Sequence, residues 1–538
     1  MPKNDEPRMS AAATTPEAAP AAGATWQPKV NPWWIALAVM LATFMEVLDT
    51  SVASVALPYI AGSLGSSTNE ATWVLTSYLV ANAVVLPTST WFGNFFGRKR
   101  FLIGCIILFT ASSFLCGVAT NLGMLIVARI LQGAGGGALQ PLAQSILLES
   151  FPPARRGMAM AVYGVGVVVA PILGPTLGGW ITDSYSWRWC FYINLPVGIL
   201  AVFLISLFVE DPPYIRAAKR GSFDAIGFSL LALWLATFQI LLDKGQDDDW
   251  FGALWLRWFA AVSVVSFICL VIRELRTPSP VVNLRVLKDR NLAVGCILFL
   301  LFGAVLYAMT TMLPLFLQTL LGYTALDAGL TVSPRGIGVL VALALVGVLT
   351  QKVNARVLLC FGFVILAASC VMLSRLNLQV SMAGVVPANL LMGFGMGFIF
   401  VPLTTTTVSS LSNEQIGAGT GIQNLMRNLG GSIGISYVST MLVRYAQAHQ
   451  GLMVAHLSSL NPSYQKRLGV LQKAFAPHFS PVDALHRAQA SIYNVLLQQA
   501  DYWAYMDIFY VMTWISAVCV VGVLLFKNAK PSGPAAMH

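Results

Sequence analysis

Fourteen apolar stretches, most of about twenty residues or longer and each bounded by charge, proline or glycine, govern what this chain can fold into. One bilayer crossing takes about 20 mostly apolar residues as a helix. The stretches lie near 33–58, 71–92, 101–119, 122–149, 158–181, 188–209, 223–243, 253–272, 292–320, 327–350, 356–375, 383–410, 416–443 and 503–526. Composition agrees: 57% of the 538 residues are hydrophobic and 10% charged, against roughly 45–50% and about 25% in soluble domains. A soluble enzyme, a disordered scaffold and a nucleic-acid module are disfavoured. The expected fold is an all-α polytopic membrane protein with fourteen transmembrane helices.

Charge orients those helices. The net charge of +10 reads as basic loops on the cytoplasmic face rather than as a nucleic-acid surface. With the N-terminus inside, eighteen lysines and arginines fall in loops and flanks assigned to the cytoplasm. Four (Arg188, Lys244, Arg257 and Arg375) fall in short outer loops. This is the positive-inside bias, and it puts both termini in the cytoplasm. The Ala/Pro/Thr-rich residues 1–32 read as a disordered cytoplasmic tail, and 528–538 as a second tail. The eight cysteines include no CxxC pair and sit in or beside apolar runs, so neither a disulfide framework nor a zinc site is indicated.

The chain repeats itself. At a displacement of 260, Gly133, Gly135 and Gly137 meet Gly393, Gly395 and Gly397, while Gly157 meets Gly417 and Gly174 meets Gly434. This equates the fourth and fifth helices with the twelfth and thirteenth. Two six-helix halves, 33–209 and 291–527, separated by two inserted helices within 210–290, give that displacement.

One outer loop is exceptional. Residues 444–501 are polar and helix-prone from about 481 to 499, with Leu485, Ala488, Ile492 and Leu496 at helical spacing. That stripe must cover either this protein's own cavity mouth or a partner. Four of the five histidines lie here (His449, His456, His478 and His486) without a carboxylate or cysteine cluster, which favours a solvated surface over a metal site.

Polar groups inside the spans carry the chemistry. Glu46 and Asp49, three apart in the first helix, share one helical face. An intramembrane charge is costly and persists only when paired or facing a wet cavity. Burial beside a second carboxylate suits one of them to reversible proton carriage; the alternative is a structural ion pair with Arg129 or Arg427. The fourth helix carries Arg129, Gln132, Gly133, Gly135, Gly136 and Gly137, in which a permanently charged guanidinium stands among glycines that admit a close neighbour. The fifth carries Gly166, Pro171, Gly174, Pro175, Gly178 and Gly179, a bent, tightly packed hinge or seal. Gln140, Gln144, Asn424, Arg427 and Arg335 are further cavity candidates; Arg335 is expected to snorkel outward, and Arg427 to sit deeper.

These segments resemble the major facilitator superfamily, in particular its fourteen-helix drug:proton antiporter branch and the EmrB/QacA-type multidrug exporters. The similarity rests on four motifs: Leu48-Asp49-Thr50-Ser51 through Pro58, Arg129 to Gly137, Gly174-Pro175-x2-Gly178-Gly179, and Trp187 through Asn194 to Pro196. The loop after the second helix departs from the family pattern. Asn94 stands where an aspartate is usual, ahead of Gly97, Arg98 and Lys99, so an anionic latch of the outward-facing form is expected to be missing. The resemblance implies a proton-driven exporter of hydrophobic or amphipathic drugs, working by alternating access in a bacterial inner membrane, with Asp49 and Glu46 exchanging protons and Arg129 tuning them. It implies the proton gradient rather than ATP or a cofactor, and for the EmrB type a periplasmic adaptor with an outer-membrane channel as partners. Export of one dedicated amphiphile such as a fatty acid or pigment is the alternative, and a non-transporting receptor the alternative of another class. No nucleophile–base pair, metal cluster or P-loop indicates an enzyme.

Overall fold

The computed structural model describes residues 28–212, 224–278, 280–350 and 352–527. The predicted tails fall largely outside the described residues, as do the basic positions Arg216, Lys219, Arg220 and Lys530. Helices occupy all fourteen apolar stretches: α1 (Pro32–Leu64), α2 (Trp73–Phe96), α3 (Arg98–Gly117), α4 (Leu122–Ser150, turning at Gly137), α5 (Arg156–Ser184), α6 (Trp189–Phe208), α7 (Ala225–Lys244), α8 (Leu254–Arg276), α9 (Arg290–Thr319), α10 (Asp327–Leu349), α11 (Ala355–Leu373), α12 (Met382–Thr407), α13 (Asn413–Val454) and α14 (Pro481–Val523). Eleven of these are long and apolar enough to cross a membrane, and twelve with α5, which bends by 43° between Pro171 and Thr176.

The other two, α2 and α13, are less apolar for a structural reason. They pack on one another in the interior. Buried Thr76, Ser77, Asn82, Thr88 and Ser89 on α2 share that region with buried Thr420, Gln423, Asn424 and Arg427 on α13. Side-chain caps begin several helices: Asn31 accepts from the Trp33 amide, Asn121 from Met124 at 2.8 Å and Asp289 from Leu292 at 2.9 Å.

The glycine repeat has a packing counterpart. A methyl added at Gly133 or Gly137 would strike the backbone of Tyr78 or Asn82 on α2; at Gly393 or Gly397 it would strike Arg335 or come within 3.1 Å of the Val339 carbonyl on α10. Gly135 lies on Cys105 and Phe109 of α3, and Gly395 on Gly362 and Leu366 of α11. Each partner is displaced by the same 257 residues. Gly157 packs on Thr350 while Gly417 packs on Thr90, so the relation is reciprocal across the seam between α5 and α10 and that between α2 and α13. Only a residue without a side chain permits such approach.

Helix α7 lies on both α2 and α13: Asp243 bonds Thr76, the Ser432 hydroxyl donates to Gln239 at 2.8 Å, and Leu231 and Leu235 share a core with Ile422, Leu425 and Leu429. The outer loop is more regular than its polarity suggests. Helix α13 runs on to Val454 and α14 begins at Pro481, with a further helix, Pro462–Phe475, between them. Ala488 and Leu496 are buried, Leu485 and Ile492 half-buried, against these neighbours. The outward stripe therefore covers the protein's own helices, and His449 bonds Asp507 across α13 and α14 at 2.7 Å.

Candidate functional site

Helix α1 presents Glu46 and Asp49 from one face, as their spacing requires, but each enters a separate network. Asp49 is 1% exposed and Arg129 is fully buried. The Arg129 guanidinium (Nη1) donates to Asp49 Oδ2 at 2.6 Å, and its Nε donates to the Val74 carbonyl at 3.1 Å. Gln132 and Asn194 donate to Asp49 Oδ1 at 2.9 and 2.7 Å. The same Arg129 nitrogen reaches Gln132 Oε1 at 2.7 Å, and the guanidinium carbon stands 4.2 Å from the centre of the Tyr78 ring. Ser113 accepts from both Gln132 and Asn194. A buried pair needs partners for its remaining donors and acceptors; here α2, α3 and α6 supply most of them, while Arg129 Nη2 faces the Tyr78 ring region without a hydrogen-bond acceptor among the described residues. Of the two ion pairs open at the sequence level, Asp49 takes Arg129.

Glu46 is held by donors alone among its described partners. Gln140 donates to Oε2 at 2.7 Å, Asn82 to Oε1 at 3.2 Å and the Tyr78 hydroxyl to Oε1 at 3.4 Å. Gln140 has a second bond: its carbonyl oxygen accepts from Arg427 of α13. Arg427 thus reaches Glu46 through one amide rather than directly. One turn on, Gln144 accepts from Gln423 at 2.9 Å and Asn424 at 2.7 Å. All five of Gln140, Gln144, Gln423, Asn424 and Arg427 are buried, so α4 and α13 meet through polar groups in the interior.

Arg335 does not snorkel outward. It is 4% exposed and donates to Thr310 of α9 and Asn389 of α12, each at 3.2 Å. The cause is local: the backbone of α10 is pressed on Gly393 of α12, which turns the side chain between helices instead of into lipid.

On α5, Gly166 packs on Met40, Gly174 on Ser51 and Gly178 on Val52, so the segment is sealed against α1 beside Asp49, and Ser51 donates to the Pro171 carbonyl at 3.2 Å. Gly179 has open space instead. The Pro175 backbone lies within this helix.

The basic loop after α2 meets anions supplied by other segments. Gly97 adopts φ +89°, a left-handed conformation that glycine permits. Arg98 is buried in an ion pair with Glu149 at the end of α4. Asp211, just after α6, accepts from the Lys99 amide at 2.9 Å at the start of α3, and Lys99 Nζ donates to the Ser206 carbonyl at 2.7 Å. Asn94 itself is exposed and lines a cavity of about 190 Å³ with Thr90, Trp91 and Gln415 at the seam of α2 and α13.

Sequence reasoning assigned no role to Asn194, Ser113, Tyr78 or Asn82. Asn194 lay within a recognised motif; the other three are ordinary residues whose importance is visible only once the helices are assembled.

This arrangement, a buried carboxylate–guanidinium pair inside glycine-packed helices, agrees with a family comparison. The profile of the Major Facilitator Superfamily matches residues 39–435. The chain belongs to the major facilitator superfamily. It is 38% identical over 439 residues to the multidrug export protein EmrB of Escherichia coli K12, covering 81% of this chain and 85% of that one. It is 37% identical over 425 residues to the fatty acid resistance protein FarB of Neisseria gonorrhoeae, covering 79% and 83%. The fold is similar to that of the proton:xylose symporter XylE, with a TM-score of 0.58 at 16% identity over 91% of this chain and 96% of that one. The chain is accordingly an EmrB-type member of the superfamily and a multi-pass protein of the bacterial inner membrane.

Proposed function

We propose that this chain exports hydrophobic and amphipathic compounds in exchange for protons, by alternating access between a half formed by α1–α6 and a half formed by α9–α14. The remaining pair, α7 and α8, is inserted between them, all fourteen helices span, and both termini lie in the cytoplasm. The observation that carries the reading is the fully buried Asp49–Arg129 pair. A charge pair so removed from water is strongly destabilised by loss of either charge, so a proton arriving at Asp49 frees Arg129 and shifts the balance between two packings of the same helices. Glu46 holds the second position. Its bond to Gln140, and Gln140's to Arg427, couples the charge on α1 to a helix of the other half. The glycine-packed α5 seals the face beside Asp49. Neither a cofactor nor ATP is required in this scheme.

The test is transport by the purified chain in proteoliposomes. Ethidium should accumulate against its gradient when a proton gradient is imposed, collapse with an uncoupler, and fail with Asp49→Asn. Equal accumulation without a proton gradient refutes proton coupling. The similarity to a protein named for fatty acid resistance, together with buried Arg335, favours a second reading in which the compounds exported are anionic amphiphiles. For the outer helical extensions we propose a docking role toward a periplasmic adaptor leading to an outer-membrane channel. It rests on the exposed face left after the inner stripe has packed. Deleting residues 450–498 behind a short linker should then abolish resistance in cells while transport by the purified protein persists.

A further inference from the structure

The inserted hairpin is fastened to one half, and the segment that follows it to the other. At the outer end of α7, Thr76 of α2 bonds Asp243, and Lys244 donates to Thr72, just before α2, at 2.9 Å. The Lys244 ammonium stands 5.9 Å from the centre of the Trp73 ring. Among the described residues the one hydrogen bond from this hairpin to α13 joins the neutral Gln239 and Ser432. Residues 280–289, which follow α8, are rooted on the opposite side. Asp289 caps α9 and accepts from Ser410, in the turn between α12 and α13, at 2.7 Å. Arg290 then donates to the Leu525 carbonyl, past the end of α14, at 2.9 Å.

This strap lies over the cytoplasmic seam of α2 and α13, where Thr90 donates to the Gly417 carbonyl at 2.8 Å. Val281 and Asn283 line the cavity of about 190 Å³ together with Thr90, Asn94, Gln415 and Ile422. Val281, Val282 and Val286 are buried in one core with Ile422 and Leu425. The inward tie to the hairpin is Glu274, near the end of α8. Its Oε2 accepts from the Val282 amide at 3.2 Å, Oε1 has no hydrogen-bond partner among the described residues, and the residue is 0% exposed. Asp224 faces it across Gly227, where an added Cβ would stand 2.6 Å from Asp224 Oδ2 and 3.0 Å from Glu274 Oε1. Arg273 pairs with Asp224, and among the described residues no cation pairs with Glu274. Arg285 also ties the strap to the Leu275 and Thr277 carbonyls, through exposed bonds that water can replace. A carboxylate buried with one amide and no cation costs free energy. That cost disappears once water reaches it.

We propose that the α7–α8 hairpin moves with the first half and the strap with the second, and that Glu274 is the sprung joint between them. The proposal rests on the alternating-access reading above and adds where the inserted helices part from the second half. With the seam shut, Glu274 is held out of water beside a second carboxylate. As the strap withdraws with α13, Glu274 is rehydrated and the Val282 amide gives up a single bond. The acid thus favours the open seam, a differential interaction that shifts the balance between two packings.

The test reads seam opening directly, in the full chain in nanodiscs. Ile422→Cys places a thiol at a buried position that lines the cavity under the strap, so a water-soluble maleimide reaches it when the seam opens. Cys269→Ser and Cys360→Ser remove the two native thiols that are not buried. Glu274→Gln keeps an acceptor for the Val282 amide and removes the buried charge, and should slow alkylation about tenfold. An unchanged or faster rate overturns the joint, because a merely structural bond is at best preserved by glutamine. Short bismaleimide linkers test the two bodies separately, should Glu274→Gln not fold. Linking Asn283→Cys to Gln415→Cys, strap to α13, should leave ethidium transport at the level of the unlinked variant. Linking Asn283→Cys to Asn94→Cys, strap to α2, should abolish it. Transport by both linked forms, or loss of transport in the form linked to α13, overturns the division of bodies. The alkylation rates need no proton gradient, so failure of coupled export leaves them standing, and unchanged rates leave export standing.

Discussion

The cluster around Asp49 and the cluster around Arg335 share one scaffold and differ in chemistry. Gly133, Gly135 and Gly137 bring α4 against α2 and α3 in the first, and Gly393, Gly395 and Gly397 bring α12 against α10 and α11 in the second. Gly174 meets Ser51 of α1 as Gly434 meets Ala304 of α9, so the first cluster's Asp49 and Glu46 correspond to Phe302 and Phe299, and its Arg129 to Asn389, while the second cluster's buried cation is Arg335. Packing is duplicated while titratable acid is confined to one side. The lesson is that small residues define where helices meet, and a few polar substitutions on the resulting surface decide which side carries buried acid.

The largest expected effect separates the acid from its phenylalanine counterpart. Asp49→Asn should abolish export and, by leaving Arg129 buried without its anion, destabilise the protein by about 3–5 kcal/mol; Phe302→Leu should cost less than about 1.5 kcal/mol and keep transport. Thermal melts in detergent beside ethidium transport read both. Asp49→Asn combined with Arg129→Gln should recover most of the stability and none of the transport. Equal losses for Asp49→Asn and Phe302→Leu would break the contrast.

A smaller effect tests the shared scaffold. Gly133→Ala and Gly393→Ala each force a methyl into a neighbouring backbone carbonyl, an overpacking worth about 1–3 kcal/mol. The two should match within measurement. A strong asymmetry would mean that one glycine is not a packing residue.

The smallest effect lies in the inserted pair, outside both clusters. Burial opposes ionisation of Asp224, yet its bonds to Arg273 at 3.0 Å and to the Gly227 amide hold its carboxyl below the ordinary range. A depressed folded-state value means the stabilisation is present above the unfolded pKa and lost as pH falls through the folded one. Asp224→Asn keeps a capping side chain but gives up the charged bond to the partly exposed Arg273, and should therefore cost less than about 1 kcal/mol at pH 7. The difference from wild type should vanish in acid, as melts across pH 7 to 3 would show.

Much of this was legible in the sequence because the membrane imposes one-dimensional rules. Apolar length placed all fourteen helices, the i, i+3 acids placed Glu46 and Asp49 on one face, and the glycine displacement anticipated the duplicated packing. What remained hidden depended on assembly. The pairing of Asp49 with Arg129 rather than Arg427 is a matter of which helices touch, and the Gln140 bridge depends on α13 reaching α4. Arg335 looked like a residue near a helix end, and only the contact of its backbone with Gly393 shows why it points inward. The outer stripe announced a covered face without saying that α13 continues to Val454 to help cover it.

The central claim is that protonation of one acid, Asp49, is what substrate binding competes with. Substrate-induced proton release by the detergent-purified chain, followed with a pH dye in weak buffer, tests it without a membrane gradient. The account predicts release on adding ethidium to wild type and to Phe302→Leu, and none with Asp49→Asn. Undiminished release from Asp49→Asn would contradict it.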